Sequence, residues 1–344
     1  MKHITIADVA KLAGVGTATV DRVLNGRSST RPETQDKVLA AARDLGYRVK
    51  QSQLLTTEAK QQVKSLKSFR VGFILLSDTH SFYRSLSESL METARQFTTA
   101  TPEFAFFHLS EVDQVANTIM KFGEEMDAIG LISLDHPLVR HAVEEVAKKG
   151  VKVFTIVSDL SPCNHSATVG FDDKKVGRTA GWAVHHFFPN AVKIGIVIGD
   201  NRFLCQETYE IGFRSYLREI ETQYQVLEPV KSYESIEGGY KATVELLNDH
   251  PDLSLIYAPC GGVEGIAQAL TDLGKNKSIK LICHGPIIDY QLKFIDGTID
   301  LMFNHPITDF TARIMQLCQD LVTGEKTGFE KVILKFDIIT KENM

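Results

Sequence analysis

The sequence predicts an α/β protein with an N-terminal head of three short helices and a larger core of two lobes built on parallel sheets. Apolar residues recur at helical spacing through residues 1–47, as in a helix-turn-helix head. From Arg70 onward, short apolar runs alternate with amphipathic segments, which is typical of parallel strands covered by helices on both faces. A chain of 344 residues, 43% of them apolar, is long enough for two or three domains. We expect a head over 1–47, a linker over 48–68 and a core over 69–344.

The first helix of the head is predicted directly after Thr5. Its apolar positions share one helical face and are Ile6, Val9, Ala10 and Ala13. Thr5 and Asp8 match a capping box, and Gly14 supplies the left-handed residue that ends a helix. A second helix follows Gly16, and its inward positions are Val20, Val23 and Leu24. Two short helices joined by a turn that contains glycine form a helix-turn-helix.

The outward side of this second helix suits the major groove of DNA. Arg22 can make a bidentate contact to guanine, and Thr17 and Ala18 are small enough to touch thymine methyl groups. Spacing alone leaves a second interpretation open, in which the two helices form a hairpin inside another kind of domain.

A third helix is predicted to begin near Pro32, because proline is tolerated in the first turn of a helix, and to end at Gly46. Residues 48–68 are polar, basic and free of Gly and Pro, which indicates a linker with helical potential. A plain tether is the alternative.

Eight apolar runs predict the strands of the core. They cover residues 71–76, 104–109, 128–134, 151–157, 192–199, 224–230, 253–259 and 279–285. The segment 169–175 lies midway and leads into a helix. Two halves of similar size favour two lobes over one closed barrel.

Polar residues that follow the predicted strands are candidates for a small-molecule site, since open α/β sheets bind ligands beyond the carboxyl ends of their strands. They include Asp78, Ser81, Phe82, Asp135, Ser158, Asp159, Asp172, residues 260–262 and His284. Hydrogen-bond acceptors outnumber donors, which favours a polyhydroxylated or cationic ligand over a phosphate. The alternative is ordinary loop chemistry, in which each Asp caps the next helix.

Charge divides the chain into a basic and an acidic part. Residues 1–70 carry 13 Lys and Arg against 6 Asp and Glu, whereas the remaining residues carry 25 against 37. A basic head on an acidic body indicates that the head meets a polyanion.

Several classes of protein are disfavoured. No apolar stretch reaches the roughly 18 residues of a membrane helix, and the start lacks the apolar block of a signal peptide. The five cysteines are scattered without zinc-type spacing, which favours reduced thiols and a cytoplasmic location. We expect no catalytic residue, metal or cofactor. An α/β enzyme and a solute-binding protein without a regulatory role are the alternatives; the absence of a phosphate-loop motif opposes the first, and the attached head opposes the second.

The head resembles the DNA-binding heads of the lactose-repressor (LacI/GalR) family of transcription regulators. The resemblance lies in DVAKLAGVGTATVDRVLNGR and RPETQDKVLAAARDLGY and is nearly unbroken over residues 4–47. It implies a regulator, expected to be a repressor, that binds a palindromic operator in double-stranded DNA as a homodimer or tetramer, with hinge helices that order on the DNA.

The same resemblance assigns DNA contacts to individual residues. Thr17, Ala18 and Arg22 would read bases. The residues that would position the head on phosphates are Thr5, Thr19, Asn25 and Ser29. Leu54 or Leu55 of the linker would enter the minor groove. The linker departs from the family pattern at Val49-Lys50, where Pro-Asn is usual.

The core resembles effector-binding cores that are similar to periplasmic sugar-binding proteins, on segments such as SFYRSL, SLDHPLVRHAV and VGFDDKKVGRTAG. This implies a small sugar or polyol effector in the cleft between the lobes. The implied cleft residues are Asp78, Ser81, Phe82, Asp135, Ser158, Asp159, Asp172, Glu207, His284 and Asn304. Lobe one would cover about 69–168 and 305–328, and lobe two about 169–299 and 330–344.

Two departures bear on the effector. The segment YAPCGGVEGIAQAL replaces an Asn-Asp that is common in sugar binders, and Tyr209 lies near where many relatives place an Arg that grips the ligand. We therefore expect an effector other than a simple hexose or pentose.

Overall fold

The structure is a computed structural model that describes residues 5–24, 32–44, 68–77, 81–97, 99–190, 192–220 and 224–344. Five of the predicted site residues lie outside the described residues, and they are Asn25, Ser29, Leu54, Leu55 and Asp78. The chain divides into two compact units, residues 1–68 and residues 69–344.

The described part of the head contains helices α1 (Ile6–Ala13), α2 (Thr17–Leu24) and α3 (Pro32–Asp44). The predicted capping box is confirmed: the Thr5 amide donates to Asp8 Oδ2 at 2.8 Å, and the Asp8 amide donates to Thr5 Oγ1 at 3.4 Å. Gly14 ends α1 with φ of 67°. The buried residues that hold the three helices together are Val9, Ala10, Val20, Val23, Leu24, Val38, Ala41 and Ala42.

The first lobe is built on a sheet whose strands run in the order β12-β5-β4-β3-β1-β2, all parallel. The strands are β1 (Phe69–Leu76), β2 (Ala100–Phe107), β3 (Ala128–Leu131), β4 (Lys152–Ile156), β5 (Ala167–Phe171) and β12 (Glu330–Leu334). Its helices are α4 (Ser81–Phe97), α5 (Val112–Glu125), α6 (Pro137–Lys148) and α12 (Ile307–Thr323).

The second lobe has a sheet in the order β13-β11-β10-β9-β6-β7, with β8 also paired to β6. The strands are β6 (Lys193–Ile198), β7 (Gln225–Val226), β8 (Val230–Lys231), β9 (Leu255–Ala258), β10 (Lys280–Gly285), β11 (Leu301–Asn304) and β13 (Asp337–Ile339). Strand β13 is antiparallel to β11, and the other pairs are parallel. The helices are α7 (Asp173–Phe187), α8 (Leu204–Glu219), α9 (Ile236–Asp249), α10 (Val263–Asp272) and α11 (Tyr290–Ile295).

In the described part of the core, three connections cross between the lobes. They run from β5 to α7, from β11 to α12, and from β12 to β13. After residue 304 the chain returns to the first lobe, where α12 packs against α4. No described helix is both long enough and apolar enough to cross a bilayer.

Two of the expected lobe limits are wrong. The expected limit at residue 168 falls inside β5, which pairs with β4 and so belongs wholly to the first lobe. Residues 330–334 were expected in the second lobe, but β12 pairs in parallel with β5, whose edge is open to it. Only the last strand, β13, joins the second sheet.

Helices α7 and α8 approach closely because glycines face the neighbouring backbone. A Cβ atom added to Gly177 would lie 2.0 Å from the Tyr209 carbonyl oxygen, and one added to Gly212 would lie 2.4 Å from the Lys174 carbonyl oxygen. Backbone atoms cannot rotate away as side chains can. This contact fixes the position of Tyr209 against the sheet.

We expect Gly177→Ala to destabilise the core by about 2 kcal/mol or more, since it forces the two helices apart. At an exposed helical glycine, the same substitution would instead stabilise the protein, because alanine favours the helix by about 1 kcal/mol relative to glycine. Thermal unfolding followed by circular dichroism measures the difference. Lys174→Ala, at an exposed position of the same helix, is the control. A midpoint for Gly177→Ala at or above that of the wild type would contradict the close approach.

Candidate functional site

Helix α2 of the head exposes the side chains predicted to read bases. Thr17, Ala18 and Arg22 are exposed, and Thr19 is half-buried. Arg22 Nε donates to the Ala18 carbonyl oxygen at 3.1 Å, so the guanidinium is held beside the outer face of its own helix. This face combines one cation with small side chains, which suits insertion of a helix into the major groove.

Thr5, predicted to contact a phosphate, has a structural role in the head. Its hydroxyl lies 2.7 Å from Asp8 Oδ2 and takes part in the capping box. A phosphate contact by Thr5 would therefore share a group that already caps α1.

A cavity in the core has a volume of about 70 Å³, or about 530 Å³ when the open space at its mouth is counted. It lies where α4 of the first lobe faces the carboxyl ends of β9 and β10 in the second. The lining residues are Phe82, Tyr83, Val157, Cys205, Gln206, Tyr209, Glu234, residues 259–264, residues 284–287 and His305. Its mixture of rings with a few polar groups is that of a small-molecule site.

Hydrogen bonds between the lobes close this cavity. Ser81 Oγ donates to Glu264 Oε1 at 2.8 Å, and the Tyr83 hydroxyl donates to Glu234 Oε2 at 3.5 Å. Ser81 and Tyr83 belong to α4, whereas the two carboxylates belong to the second lobe. The described conformation is therefore one in which the lobes are in contact.

Glu234 is held by several partners at once. Its Oε1 accepts hydrogen bonds from Gln206 Nε2 at 2.8 Å and from the Gly261 amide at 3.0 Å. The backbone of Glu234 is left-handed, with φ of 56°, and a Cβ atom on Gly199 would come within 1.8 Å of the carboxylate. Val157, which also lines the cavity, has φ of 63°. Left-handed residues other than glycine are strained, and such strain is found at pre-organised sites.

Two buried histidines lie in the cavity wall as neutral imidazoles. Burial lowers the pKa of His305 to about 4, and it also lowers the pKa of His284, with His305 contributing. His305 stacks on Phe171 with a centroid distance of 4.1 Å. Its Nε2 atom has no hydrogen-bond partner among the described residues, which leaves it for a ligand.

The structure brings together only part of the predicted ligand set. Phe82 and His284 line the cavity, and Ser81 lies at its rim through the bond to Glu264. Ser158 is buried next to the cavity residue Cys205, whose amide donates to its hydroxyl at 3.4 Å.

Three predicted aspartates lie outside the cavity lining and have other partners. Asp172 accepts from the Lys175 amide at 3.2 Å and caps α7. Asp135 forms an ion pair with Arg140 and accepts from Ser161 Oγ at 2.6 Å. These bonds are the helix-capping and loop chemistry that the sequence left open. Asp159 bonds within its own loop and contacts His165.

Two other predicted residues are one position away from a lining residue. Glu207 is exposed on α8, whereas its neighbour Gln206 lines the cavity. Asn304 is the last residue of β11, and the next residue, His305, lines the cavity instead. The buried positions Cys205 and Tyr209, four residues apart, show which face of α8 turns inward, and that apolar spacing is the signal in the sequence. The sequence gives no comparable signal for Glu234.

No group of three or more His, Cys, Asp or Glu side chains in the described ranges is arranged to hold a metal ion.

A helix-turn-helix head and a two-lobed core with a cavity between its lobes define a DNA-binding regulator whose core has the architecture of a periplasmic binding protein. A family model described as "Periplasmic binding protein domain" matches residues 71–326, and one described as "Bacterial regulatory proteins, lacI family" matches residues 5–49. The chain belongs to the lacI family of bacterial regulatory proteins and is a DNA-binding transcription regulator.

Curated relatives match this chain over most of its length. The HTH-type transcriptional regulator pepR1 of Lactobacillus delbrueckii subsp. lactis is 22% identical over 352 residues, which cover 99% of this chain and 98% of that protein. Catabolite control protein A of Staphylococcus xylosus is 25% identical over 281 residues, which cover 79% of each protein.

Solved structures confirm the fold of the core. A solute-binding protein of an ABC transporter from Agrobacterium vitis, with bound D-fucose, superposes with a TM-score of 0.73 at 19% identity and covers 80% of this chain and 96% of that one. GanP, a glucose-galactose binding protein from Geobacillus stearothermophilus, superposes with a TM-score of 0.72 at 16% identity. The match covers 81% of this chain and 99% of GanP.

The lowered pKa of His305 predicts a pH dependence of stability. An unfolded imidazole has a pKa near 6.5, so the unfolded chain binds a proton between pH 6.5 and 4 that the folded chain does not. Stability is therefore lost as the pH falls through this range, by about 1 kcal/mol from this group at pH 5.5. We expect His305→Asn to have a lower thermal midpoint than the wild type at pH 7.5. The difference between the two midpoints should be smaller at pH 5.5. His108→Asn, at an exposed position, is the control, and its thermal midpoint should differ from that of the wild type by the same amount at both pH values. If the thermal midpoints of His305→Asn and the wild type fell by the same amount between pH 7.5 and 5.5, that result would contradict a buried neutral imidazole at position 305.

Proposed function

We propose that the protein represses transcription by binding a palindromic operator as a homodimer, and that a small sugar-like effector in the cavity of the core controls its affinity for DNA. It would act in the cytoplasm, where the DNA is, and would bind the effector without turning it over. One observation carries the effector half: side chains of both lobes close a cavity in which the buried His305 Nε2 has no partner among the described residues.

A palindromic operator follows from the small reading surface of one head. Helix α2 has eight residues, and its exposed Thr17, Ala18 and Arg22 can reach only a few base pairs. Two heads related by a two-fold axis each bind one copy of the same half-site, which increases the preference for the operator over other DNA sequences. The positive charge of residues 1–70 adds attraction to the phosphates, which is independent of sequence and sensitive to salt.

The cavity lining favours a polyhydroxylated or cationic effector over an acid or a phosphate. The lining residues that the structure describes include neither Lys nor Arg, whereas Glu234 and Glu264 supply carboxylates. Phe82 and His305 supply rings against which the apolar face of a sugar can pack. One solute-binding protein with this fold has bound D-fucose and another is a glucose-galactose binding protein, which supports a sugar-like ligand.

Control of DNA binding requires that the effector bind two forms of the core with different affinity. Ser81–Glu264 and Tyr83–Glu234 are contacts that exist only while the lobes are together. An effector that bonds to both lobes would favour this closed form. The change in lobe position would then reach the heads through the linker.

DNA selection from genomic fragments with the purified full chain tests the operator half. We expect the wild type to enrich one palindromic site, with an affinity that falls steeply between 50 and 200 mM salt. Arg22→Ala should lower affinity for that site by about 10-fold or more and relax its preference, since a bidentate contact to guanine is lost. Lys37→Ala removes an equal charge from an exposed position of α3 and is the control. Equal loss of preference in both variants would contradict the assignment of Arg22. Enrichment of no site by the wild type would contradict the proposed operator.

Thermal shift of the full chain against neutral sugars, amino sugars and sugar phosphates tests the effector half. We expect stabilisation by a neutral or amino sugar and none by the phosphates. Gln206→Ala should abolish the shift, because Gln206 lines the cavity and bonds to Glu234. Glu207→Ala, at the next position but exposed, should retain it. Loss of the shift in Glu207→Ala and its retention in Gln206→Ala would restore the original prediction of Glu207 as the contact.

A further inference from the structure

The loop between β4 and β5 brings a thiol, an imidazole and a carboxylate together outside the cavity. Cys163 Sγ lies 3.3 Å from His165 Nδ1, and His165 Nε2 lies 2.9 Å from Asp159 Oδ1. The three groups form a chain in which a nucleophile, a base and an orienting carboxylate follow one another. Neither the DNA-binding head nor the effector cavity uses them.

Both ring nitrogens of His165 face atoms that accept hydrogen bonds. Nδ1 is 3.1 Å from the Cys163 carbonyl oxygen as well as close to the sulfur, and Nε2 meets the carboxylate of Asp159. Burial acts to lower the pKa of His165, but its contacts with Asp159 and Cys163 outweigh burial and raise the pKa to about 10. The ring is therefore an imidazolium at neutral pH. His165 Nδ1 thus places a positive charge 3.3 Å from the Cys163 sulfur, and cations of this kind are found beside reactive cysteines.

The surroundings hold the imidazole in place. Asp159 Oδ1 also accepts from Thr155 Oγ1 and from the Leu160 amide, each at 2.9 Å. These bonds and the contact with His165 hold the pKa of Asp159 below its ordinary value, against the opposing effect of burial. From the segment after α12, the uncharged ring of Phe329 meets the imidazole edge-on, with centroids 5.1 Å apart. Asp159 thus places a carboxylate oxygen 2.9 Å from His165 Nε2.

Accessibility separates Cys163 from the other cysteines. Cys163 is half-buried and lies between the exposed residues Pro162 and Asn164. The remaining four thiols are buried, and burial raises the pKa of each; they are Cys205, Cys260, Cys283 and Cys318. A reagent in solution therefore meets one half-buried thiol beside an imidazolium, whereas the other four thiols are buried.

We propose that Cys163, activated by His165 and oriented through Asp159, is a modification site that reacts with soft electrophiles such as hydrogen peroxide or an activated carbon compound. With peroxide, the thiolate attacks one oxygen, the O–O bond breaks, and hydroxide leaves and takes a proton to become water. The sulfur is oxidised by two electrons to a sulfenic acid, and the peroxide is reduced. With a haloacetamide, a C–S bond forms as halide leaves.

The test follows both reactions on the full-length protein by peptide mass mapping. Iodoacetamide at pH 6.5 and 9.0 measures thiolate reactivity, and peroxide followed by dimedone measures sulfenic acid. We expect native Cys163 to react at pH 6.5 at least ten times faster than the same cysteine in the wild-type chain unfolded in urea. The four buried thiols should stay unmodified until urea is added. Cys163→Ser should abolish the fast modification.

His165→Gln separates activation from mere exposure, and Asn164→Gln at the neighbouring exposed position is its control. His165→Gln should lower the rate at pH 6.5 about tenfold and leave the rate at pH 9.0 nearly unchanged, because solvent then supplies the thiolate. Equal rates at pH 6.5 for the wild type and His165→Gln would overturn the proposal. The proposal would also be overturned if Cys163 reacted no faster in the native protein than in the unfolded chain. This comparison uses only the wild type and so does not depend on the folding of a variant. Alkylation without dimedone labelling would remove peroxide from the proposal and keep the carbon electrophile.

Discussion

The carboxylate of Glu234 lies where three parts of the core meet. It accepts from Gln206 on α8 and from the Gly261 amide after β9, and it contacts the Tyr83 hydroxyl of the first lobe. In a partly buried polar network of this kind, each member depends on the others for its hydrogen-bond partners. The left-handed backbone at Glu234 and the absence of a side chain at Gly199 are both needed to fit the carboxylate there. The shape of the cavity wall in the second lobe depends on this one group.

The head and most core strands were predictable because their signals are local. The capping box of Thr5 and Asp8 and the stop at Gly14 lie within ten residues, and the long apolar runs became β1, β4, β6 and β10. Strands β12 and β13 gave no such signal. They are short, partly exposed edge strands whose partners, β5 and β11, lie far away in sequence, so tertiary pairing rather than local pattern decides them.

The candidate site was harder to predict because one residue type serves two purposes. Aspartates after strands can bind a ligand or cap the following helix, and at Asp172 the nearby Lys175 amide takes the carboxylate. Glu207 and Asn304 were each displaced by one position, which turns a side chain to another face of a helix or strand. The groups that do meet in the cavity, such as Glu234 and His305, come from a turn and a crossover segment, where no periodicity marks the inward side.

The order of the last two strands has a consequence for shortened forms of the protein. Strand β12 covers the edge of β5 in one sheet, and β13 covers the edge of β11 in the other. A chain that stopped before residue 330 would uncover an unpaired edge in both lobes at once. Open edges are templates for pairing with other chains. Loss of residues 330–344 would thus leave an aggregation-prone fragment, although every residue of the cavity lining would still be present.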